Sequence, residues 1–312
     1  MPWARSRRAP GCGLAARGTS RWWGYGGAVA VSDGNGWVEC ACGSRHWGRF
    51  GAAGLLLVHG PAAQVDRGPL PGNSTVLLQH RAEWSHEGGT WGLPGGARDS
   101  HEDIVTTALR ETWEETGIDA SAGALLGVQR TDHGSWSYAT VIMRADRRGD
   151  PRRNRESRDV RWLPVADIAD LPLHPGFARS WSTLAGPRVR LVVDVANVMG
   201  SRPDGWWRDR ALGAQRLVDD LSPLVGELTM PEGALVALVS AIVEGAGSPV
   251  ISPDPAVLVT AAPTADEHIS ATVGVGDVVV TADAELRVAA VARGAEVIGP
   301  RWLLNRINEA HR

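Results

Sequence analysis

The 312-residue chain contains no lysine, and all 32 of its basic side chains are arginine. That absence removes one class of nucleotide enzyme, because a phosphate-cradling P-loop needs its lysine to reach the β- and γ-phosphates. Beyond this, an all-arginine set reads as compositional bias. Cysteine is scarce and odd in number: Cys12, Cys40 and Cys42. Three cysteines build no disulfide framework, which favours a reducing compartment. Cys40, Cys42 and His46 lie close together, but a tetrahedral metal site needs a fourth ligand and a less cramped pair. Ordinary loop or core cysteines are therefore expected. No apolar run approaches the ~20 residues of a membrane span. The start, with Arg5, Arg7 and Arg8, lacks the apolar stretch of a secretory signal, so a cytoplasmic protein with no membrane partner is expected. A net charge of -3 gives no global basic field to attract nucleic acid. His86-Glu87 and His101-Glu102 have no second histidine four residues on, which excludes a zincin site, and no G-x-S-x-G elbow occurs.

What is present is the composition of a globular protein, 43% apolar and 21% charged, with length enough for two domains. Residues 1–45 are rich in Gly, Trp and Arg without a sustained period and read as a poorly ordered or loosely docked extension, with Val29 and Val31 as alternative starts. A first domain is expected over 46–186. Its strands are the apolar runs 52–59 and 74–80, then 125–130, 138–143 and 160–163, and residues 100–116 form its clearest helix. Near Gly186-Pro187 the pattern changes to strands alternating with helices (189–195, 211–225, 238–243, 256–259, 278–281, 284–293, 296–298). That alternation predicts a second, doubly wound α/β domain over 187–312.

The helix at 100–116 carries the first chemical signal. Ser100 is placed to cap it, with Asp103 as the reciprocal partner. Ile104, Ala108 and Thr112 form a packing stripe at i, i+4 and i+8. Glu111, Glu114 and Glu115, at i, i+3 and i+4, share another face. Carboxylates so close repel one another, and a hard cation turns that repulsion into coordination. Gly117 stands where a helix end needs φ > 0, and Gly95-Gly96 allow close backbone approach.

The whole string, Gly96, Glu102, Arg110-Glu111-Thr112, Glu114-Glu115, Gly117-Ile118, resembles the Nudix box G-x5-E-x7-R-E-U-x-E-E-x-G-U. Only Thr112 departs, at a position usually aliphatic. The resemblance to MutT-like Nudix domains covers about 50–186 and implies a mixed-sheet α/β/α sandwich. It further implies Mg²⁺ or Mn²⁺ on Glu111, Glu114, Glu115 and the Gly96 carbonyl, Arg110 holding the carboxylates, and Glu102 organising the helix start. Glu156, in the loop before the strand of Trp162, is the chosen acid from outside the box; Glu87, Asp132 and Asp159 compete with it. The implied reaction is attack of water on a diphosphate bridge, with Glu111 or Glu114 taking the proton. The substrate would be a nucleotide of the nucleoside triphosphate or ADP-ribose class. Trp84, Trp91, Trp136 and Tyr138 are candidates either for stacking on its base or for the core.

The second half offers acids at strand ends: Asp194 with Asn197 three residues on, Asp266-Glu267 at a helix start, and Asp283 after a later strand. Ligands of open α/β sheets bind outside the carboxyl ends of the strands, so these acids are expected to converge on Mg²⁺ or Mn²⁺. The patterns D-x-x-N, A-D-E-x-I and T-A-D-x-x-L resemble PIN-like nucleases of the NYN type, with Glu267 standing where a second Asp is common. The resemblance implies a metal-dependent RNase-like domain. Trp206-Trp207-Arg208-Asp209-Arg210 could grip single-stranded RNA or simply form a surface helix end. A different reading makes the first domain a nucleotide sensor that regulates the second.

Overall fold

In the computed structural model, residues 32–203, 205–245 and 249–312 are described. Cys12, the tryptophans at 22 and 23, the alternative starts Val29 and Val31, and the extension up to residue 31 lie outside them. The first elements among the described residues form a hairpin, β1 (Trp37–Glu39) and β2 (Arg45–Trp47). There follow β3 (Ala52–His59), α1 (Ala62–Val65), β4 (Thr75–Arg81), β5 (Trp91–Gly92), β6 (Gly95–Ala97), α2 (Ile104–Thr116), β7 (Ala124–Asp132), β8 (Ser137–Arg144), β9 (Ser157–Pro164) and α3 (Pro175–Ala185). The second half comprises β10 (Arg188–Asp194), α4 (Val195–Gly200), α5 (Arg210–Asp219), β11 (Leu235–Glu244), β12 (Val257–Ala262), α6 (Ala265–Thr272), β13 (Asp277–Val280), α7 (Ala284–Ala292), β14 (Glu296–Ile298) and α8 (Pro300–Ala310). No helix among the described residues is long and apolar enough to cross a membrane.

The first sheet runs β5-β4-β3-β8-β7, with β6 on β3 and β9 on β4. It is mixed, since β3 and β8 pair in parallel while the neighbouring pairs are antiparallel. Period-2 alternation divides its apolar residues between two faces. Leu55, Leu57 and Leu77 meet Ala108 of α2. Leu56, Val58, Val76 and Leu78 meet Phe177 and Leu184 of α3.

The second sheet is wholly parallel in the order β12-β11-β10-β13-β14. Leu191 and Val193 pack with Val198, Leu217 and Leu303 of α4, α5 and α8. Val192 and Val279 pack on the opposite face with Ile269 and Leu286 of α6 and α7. Strand order reverses between β10 and β13, so a crevice opens there at the carboxyl ends, where such sheets place ligands.

The two sheets are joined through one contiguous core that includes Val128 of β7 and Val236 and Leu238 of β11. A β-bulge in β7 places Gly127, at φ 142°, against β11; a Cβ there would lie 2.4 Å from the Ala237 carbonyl oxygen. Only glycine permits so close an approach at that φ. Beside it, the Arg130 guanidinium donates to both carboxylate oxygens of Asp254 at 2.9 and 2.8 Å and to the carbonyls of Ser222 and Val225, each at 3.0 Å.

Two local expectations are corrected. Residues 33–45, expected within a loose extension, belong with Trp47 to a docked hairpin. Asp33 accepts from the Ser100 amide and hydroxyl, Gly34 N–H donates to Asp99, and the Trp136 indole donates to the Gly48 carbonyl. Its tryptophans 37 and 47 face each other across the two strands, an aromatic cross-strand pair too short to register as a period. The helix begins at Ile104, and its cap is Asp103, whose side chain accepts from Thr106 N–H. Ser100 instead serves the hairpin.

Candidate active site

α2 ends as its sequence dictates, with Gly117 at φ 69°. Ala108 and Thr112 are fully buried, and the Thr112 hydroxyl is satisfied by the Ala108 carbonyl at 2.6 Å. Hydroxyl satisfaction within the helix explains how threonine occupies an apolar stripe position. The acidic face is organised by one guanidinium. Arg110 donates to Glu102 through Nε (2.7 Å) and Nη2 (2.9 Å), to Glu111 (2.8 Å), to Glu114 (3.4 Å) and to the Ala97 carbonyl (3.0 Å). Burial works against the charge of Glu102, but Arg110 and the Thr107 hydroxyl overcome it and hold its carboxyl below the usual range. Burial pushes Glu111 up despite Arg110, with Glu114 and Glu102 adding to the rise.

Glu115 sits deeper, and among the described residues no arginine is hydrogen-bonded to it. Its Oε2 accepts from Gly95 N–H at 2.8 Å and from the Gln79 amide at 3.1 Å. Burial drives its pKa up to about 8, opposed by the Gly95 N–H and reinforced by Glu111. Gly96 lies directly over the helix; a Cβ there would come within 2.5 Å of a Glu111 carboxylate oxygen. The backbone at 95–96 can thus reach both Glu111 and Glu115 only because side chains are missing.

Gln79 went unread in the sequence. It is 1% exposed and links Glu115 to the Ser157 hydroxyl, which donates to it at 2.8 Å. The available signal was one amide directly after the apolar run Val76-Leu77-Leu78. Glu156, beside Ser157, is exposed, and among the described residues no hydrogen bond joins its carboxylate to the box. Trp136 and Tyr138 do share a face, with ring centroids 6.3 Å apart. Tyr138 is held a neutral phenol by burial and by the charge of Glu115. Trp91 stacks on His80 at 4.8 Å, Trp136 stacks on His46 at 4.3 Å, and Trp84 is exposed.

The NUDIX domain profile matches residues 67–184. A Mycobacterium tuberculosis protein named "Putative 8-oxo-dGTP diphosphatase 3" is 50% identical over 162 residues, 49% of this chain and 69% of that protein. The chain belongs to the Nudix family. A Bifidobacterium longum nucleoside triphosphate pyrophosphatase/Nudix hydrolase fusion protein is 41% identical over 49% of this chain and 31% of its own length. The crystal structure of RenU, a Nudix hydrolase from M. smegmatis, aligns at 47% identity over 48% of this chain and 92% of that one, with a TM-score of 0.42. The profile match and the named relatives make the protein a hydrolase, and the matched residues include the loop and helix just described.

A second acidic group occupies the crevice of the parallel sheet. Asp194, 4% exposed, caps α4 by accepting from Asn197 N–H and also accepts from the Thr281 hydroxyl, both at 3.1 Å. Asn197 accepts from Ala282 N–H at 2.7 Å, tying the end of β10 to the loop after β13. Burial raises the pKa of Asp194, with Asp266 and Glu244 contributing. Asp266 is raised by burial and by Asp283, Glu244 and Glu285. Asp283 caps α7 through Leu286 N–H, and Glu267 is exposed beside Asp266. Glu244 and Glu285 were not singled out in the sequence, where Glu244 is only the polar end of an apolar strand. In the segment 206–210, Arg210 lies over the Trp206 ring at 5.7 Å, while Trp207 is 60% exposed.

Proposed function

We propose that residues 46–186 form a cytoplasmic, divalent-metal-dependent Nudix pyrophosphohydrolase acting on a nucleoside diphosphate-linked substrate, with a nucleoside triphosphate favoured over ADP-ribose. The arrangement of Glu111, Glu114 and Glu115 beneath the bare Gly95-Gly96 backbone carries this reading. The fit to a hard cation is chemical. Glu115 is a buried carboxylate whose partners are neutral amides, so burial disfavours its charge unless a cation accompanies it. Glu111, Glu114, Glu115 and the Gly96 carbonyl would hold Mg²⁺ or Mn²⁺. When bound, the metal supplies charge neutralisation for the leaving phosphate and lowers the pKa of the attacking water.

The chain's own residues do the rest. Arg110 keeps Glu111 and Glu114 in one orientation, so that either can accept the proton from the attacking water. Glu102 and the Ala97 carbonyl in turn anchor Arg110 from the helix start and from β6. Glu156, in the loop before β9, remains the proposed outer acid. The name of the mycobacterial relative supports a purine nucleoside triphosphate, with Trp136 and Tyr138 on the base-facing strand. A panel of nucleoside triphosphates, oxidised purine nucleotides and ADP-ribose, assayed with Mg²⁺ or Mn²⁺ for release of phosphate or pyrophosphate, tests this. No turnover of any member would remove the proposal and leave a nucleotide sensor.

A second reading, for residues 187–312, is a PIN-like domain of the NYN type with metal-dependent RNase activity on single-stranded RNA. The meeting of Asp194, Asp266 and Asp283 at the strand-order reversal favours it, with Asn197 bracing the crevice and Glu267 at its rim. Mn²⁺-dependent cleavage of a labelled single-stranded RNA is the test.

A further inference from the structure

We infer that the tip of the N-terminal hairpin is a zinc site, with Cys40, Cys42 and His46 as ligands and His133, from the turn between β7 and β8, as the fourth. Spacing alone offered three ligands and no fourth; the fold supplies one from 93 residues away. The Cys40 and Cys42 sulfurs and a His46 ring nitrogen all lie within 4.8 Å of one another, and Cys42 Sγ is 3.2 Å from His46 Nε2. A tetrahedral Zn²⁺ with Cys and His ligands holds its donor atoms about 3.3–3.8 Å apart. The three donors are thus gathered before any ion arrives. The His133 ring centroid is 4.5 Å from that of His46, and the Cys40 thiol reaches the His133 backbone carbonyl at 3.2 Å.

The surroundings suit a thiolate. Ser135 donates its hydroxyl to Cys40 Sγ at 3.5 Å, and the same oxygen accepts from Ala41 N–H at 3.0 Å, fixing its direction. On binding, each thiol gives up its proton to solvent and both histidines ligate in the neutral form. Soft sulfur and imidazole donors select zinc over the magnesium that suits the box glutamates. Its role would be structural, closing the hairpin onto the β7–β8 turn. The hairpin also grips the loop just before Glu102 through Asp33–Ser100 and Gly34–Asp99, so the clip reaches the edge of the Nudix box.

The test uses the full chain, purified under reducing conditions and exchanged into excess Mg²⁺ so that the box is occupied. About one equivalent of zinc per chain should remain by elemental analysis. Substitution with Co²⁺ should give a sulfur-to-cobalt charge-transfer band, which carboxylates cannot produce. Cys42→Ser, at an exposed position, should abolish the band with the protein still folded by circular dichroism. His133→Ala should weaken Co²⁺ binding by about 10-fold or more. A zinc-selective chelator, added with the Mg²⁺ kept in excess, should lower the Tm of wild type and leave that of Cys42→Ser unchanged. The inference is overturned by wild type that carries no zinc and shows no thiolate band, by a Cys40–Cys42 disulfide seen as a two-hydrogen mass loss in freshly reduced and desalted protein, or by His133→Ala binding Co²⁺ as wild type does.

Discussion

On α2, Glu102, Glu111 and Glu114 share the single guanidinium of Arg110, whereas Asp194, Glu244, Asp266, Asp283 and Glu285 gather at the edge of the second sheet with no arginine bonded to any of them among the described residues. The first group is drawn from one loop and one helix, and its countercharge is written into the same stretch of chain. The second is assembled from the ends of separate strands and the starts of the helices that follow. The difference shows up in protonation: Glu102 is held ionised by Arg110, while Asp194 and Asp266 are both pushed toward the neutral form.

The largest effect expected from this contrast is at the box. Glu114→Gln removes a half-exposed carboxylate with one 3.4 Å partner, so the fold should be unchanged. Hydrolysis should fall by roughly 10²–10³-fold in kcat, the range for losing a metal-binding or proton-accepting carboxylate. Wild-type turnover by this variant would remove the proposed mechanism. Asp283→Asn, measured beside it on the same nucleotide, should retain full rate, since the sites share no partner. The same variant should lose any Mn²⁺-dependent RNA cleavage. If Asp283→Asn instead slows nucleotide hydrolysis, the two sites are coupled.

Coupling has a physical route, which sets the next prediction. Arg130 spans from β7 to Asp254 with bidentate geometry, and both partners are largely buried. Arg130→Ala leaves the Asp254 carboxylate and two carbonyl acceptors without their guanidinium partner, and should cost about 3 kcal/mol. The expected signature in a urea titration is a second transition, because the halves lose their clamp. A single transition with unchanged midpoint would mean that the apolar contact at Gly127 and Val236 suffices alone. Gly127→Val should act in the same direction, through steric conflict with Ala237 at a φ unsuited to a branched residue.

These comparisons also show what could be read without a structure. The strands 52–59 and 296–298 match the observed elements end for end, because short apolar runs between turn residues leave little choice. Glu111, Glu114 and Glu115 were legible because helical periodicity fixes their face, and Gly96 because its spacing to them is fixed. Gln79 was not legible: its role depends on β4 and β9 pairing so that Ser157 meets it, a long-range register. Glu244 was missed for the same reason, since only the parallel sheet brings the end of β11 beside β10. Ser100 was assigned to the wrong partner because the competing acceptor, Asp33, comes from a hairpin without periodic pattern. His133 near Cys40 is the same kind of case.

The smallest expected effect concerns pH, and it sharpens the contrast by asking which carboxylates are ionised when no metal is present. Burial raises Glu115 to about 8, well above an unfolded glutamate near 4.5. The folded state therefore holds a proton between those values that the unfolded state has released. Its stabilisation is complete below the unfolded value and is lost as pH rises toward about 8. Glu111, Asp194 and Asp266 are raised too and act with the same sign, whereas the lowered Glu102 contributes only on the acid side, where its stabilisation fades as pH falls. In chelator, the chain should thus lose stability on going from pH 6 to 7.5, on the order of 1 kcal/mol per pH unit for one fully linked proton. Glu115→Gln keeps an acceptor for Gly95 N–H and carries no titrating proton, so it should flatten most of this slope. Mg²⁺ should reverse the wild-type trend, because the ion binds the ionised form and its hold strengthens as protons leave. A slope that survives Glu115→Gln intact would move the linked proton to Glu111 or to the second site, and Glu111→Gln and Asp194→Asn, assayed the same way, would tell the two apart.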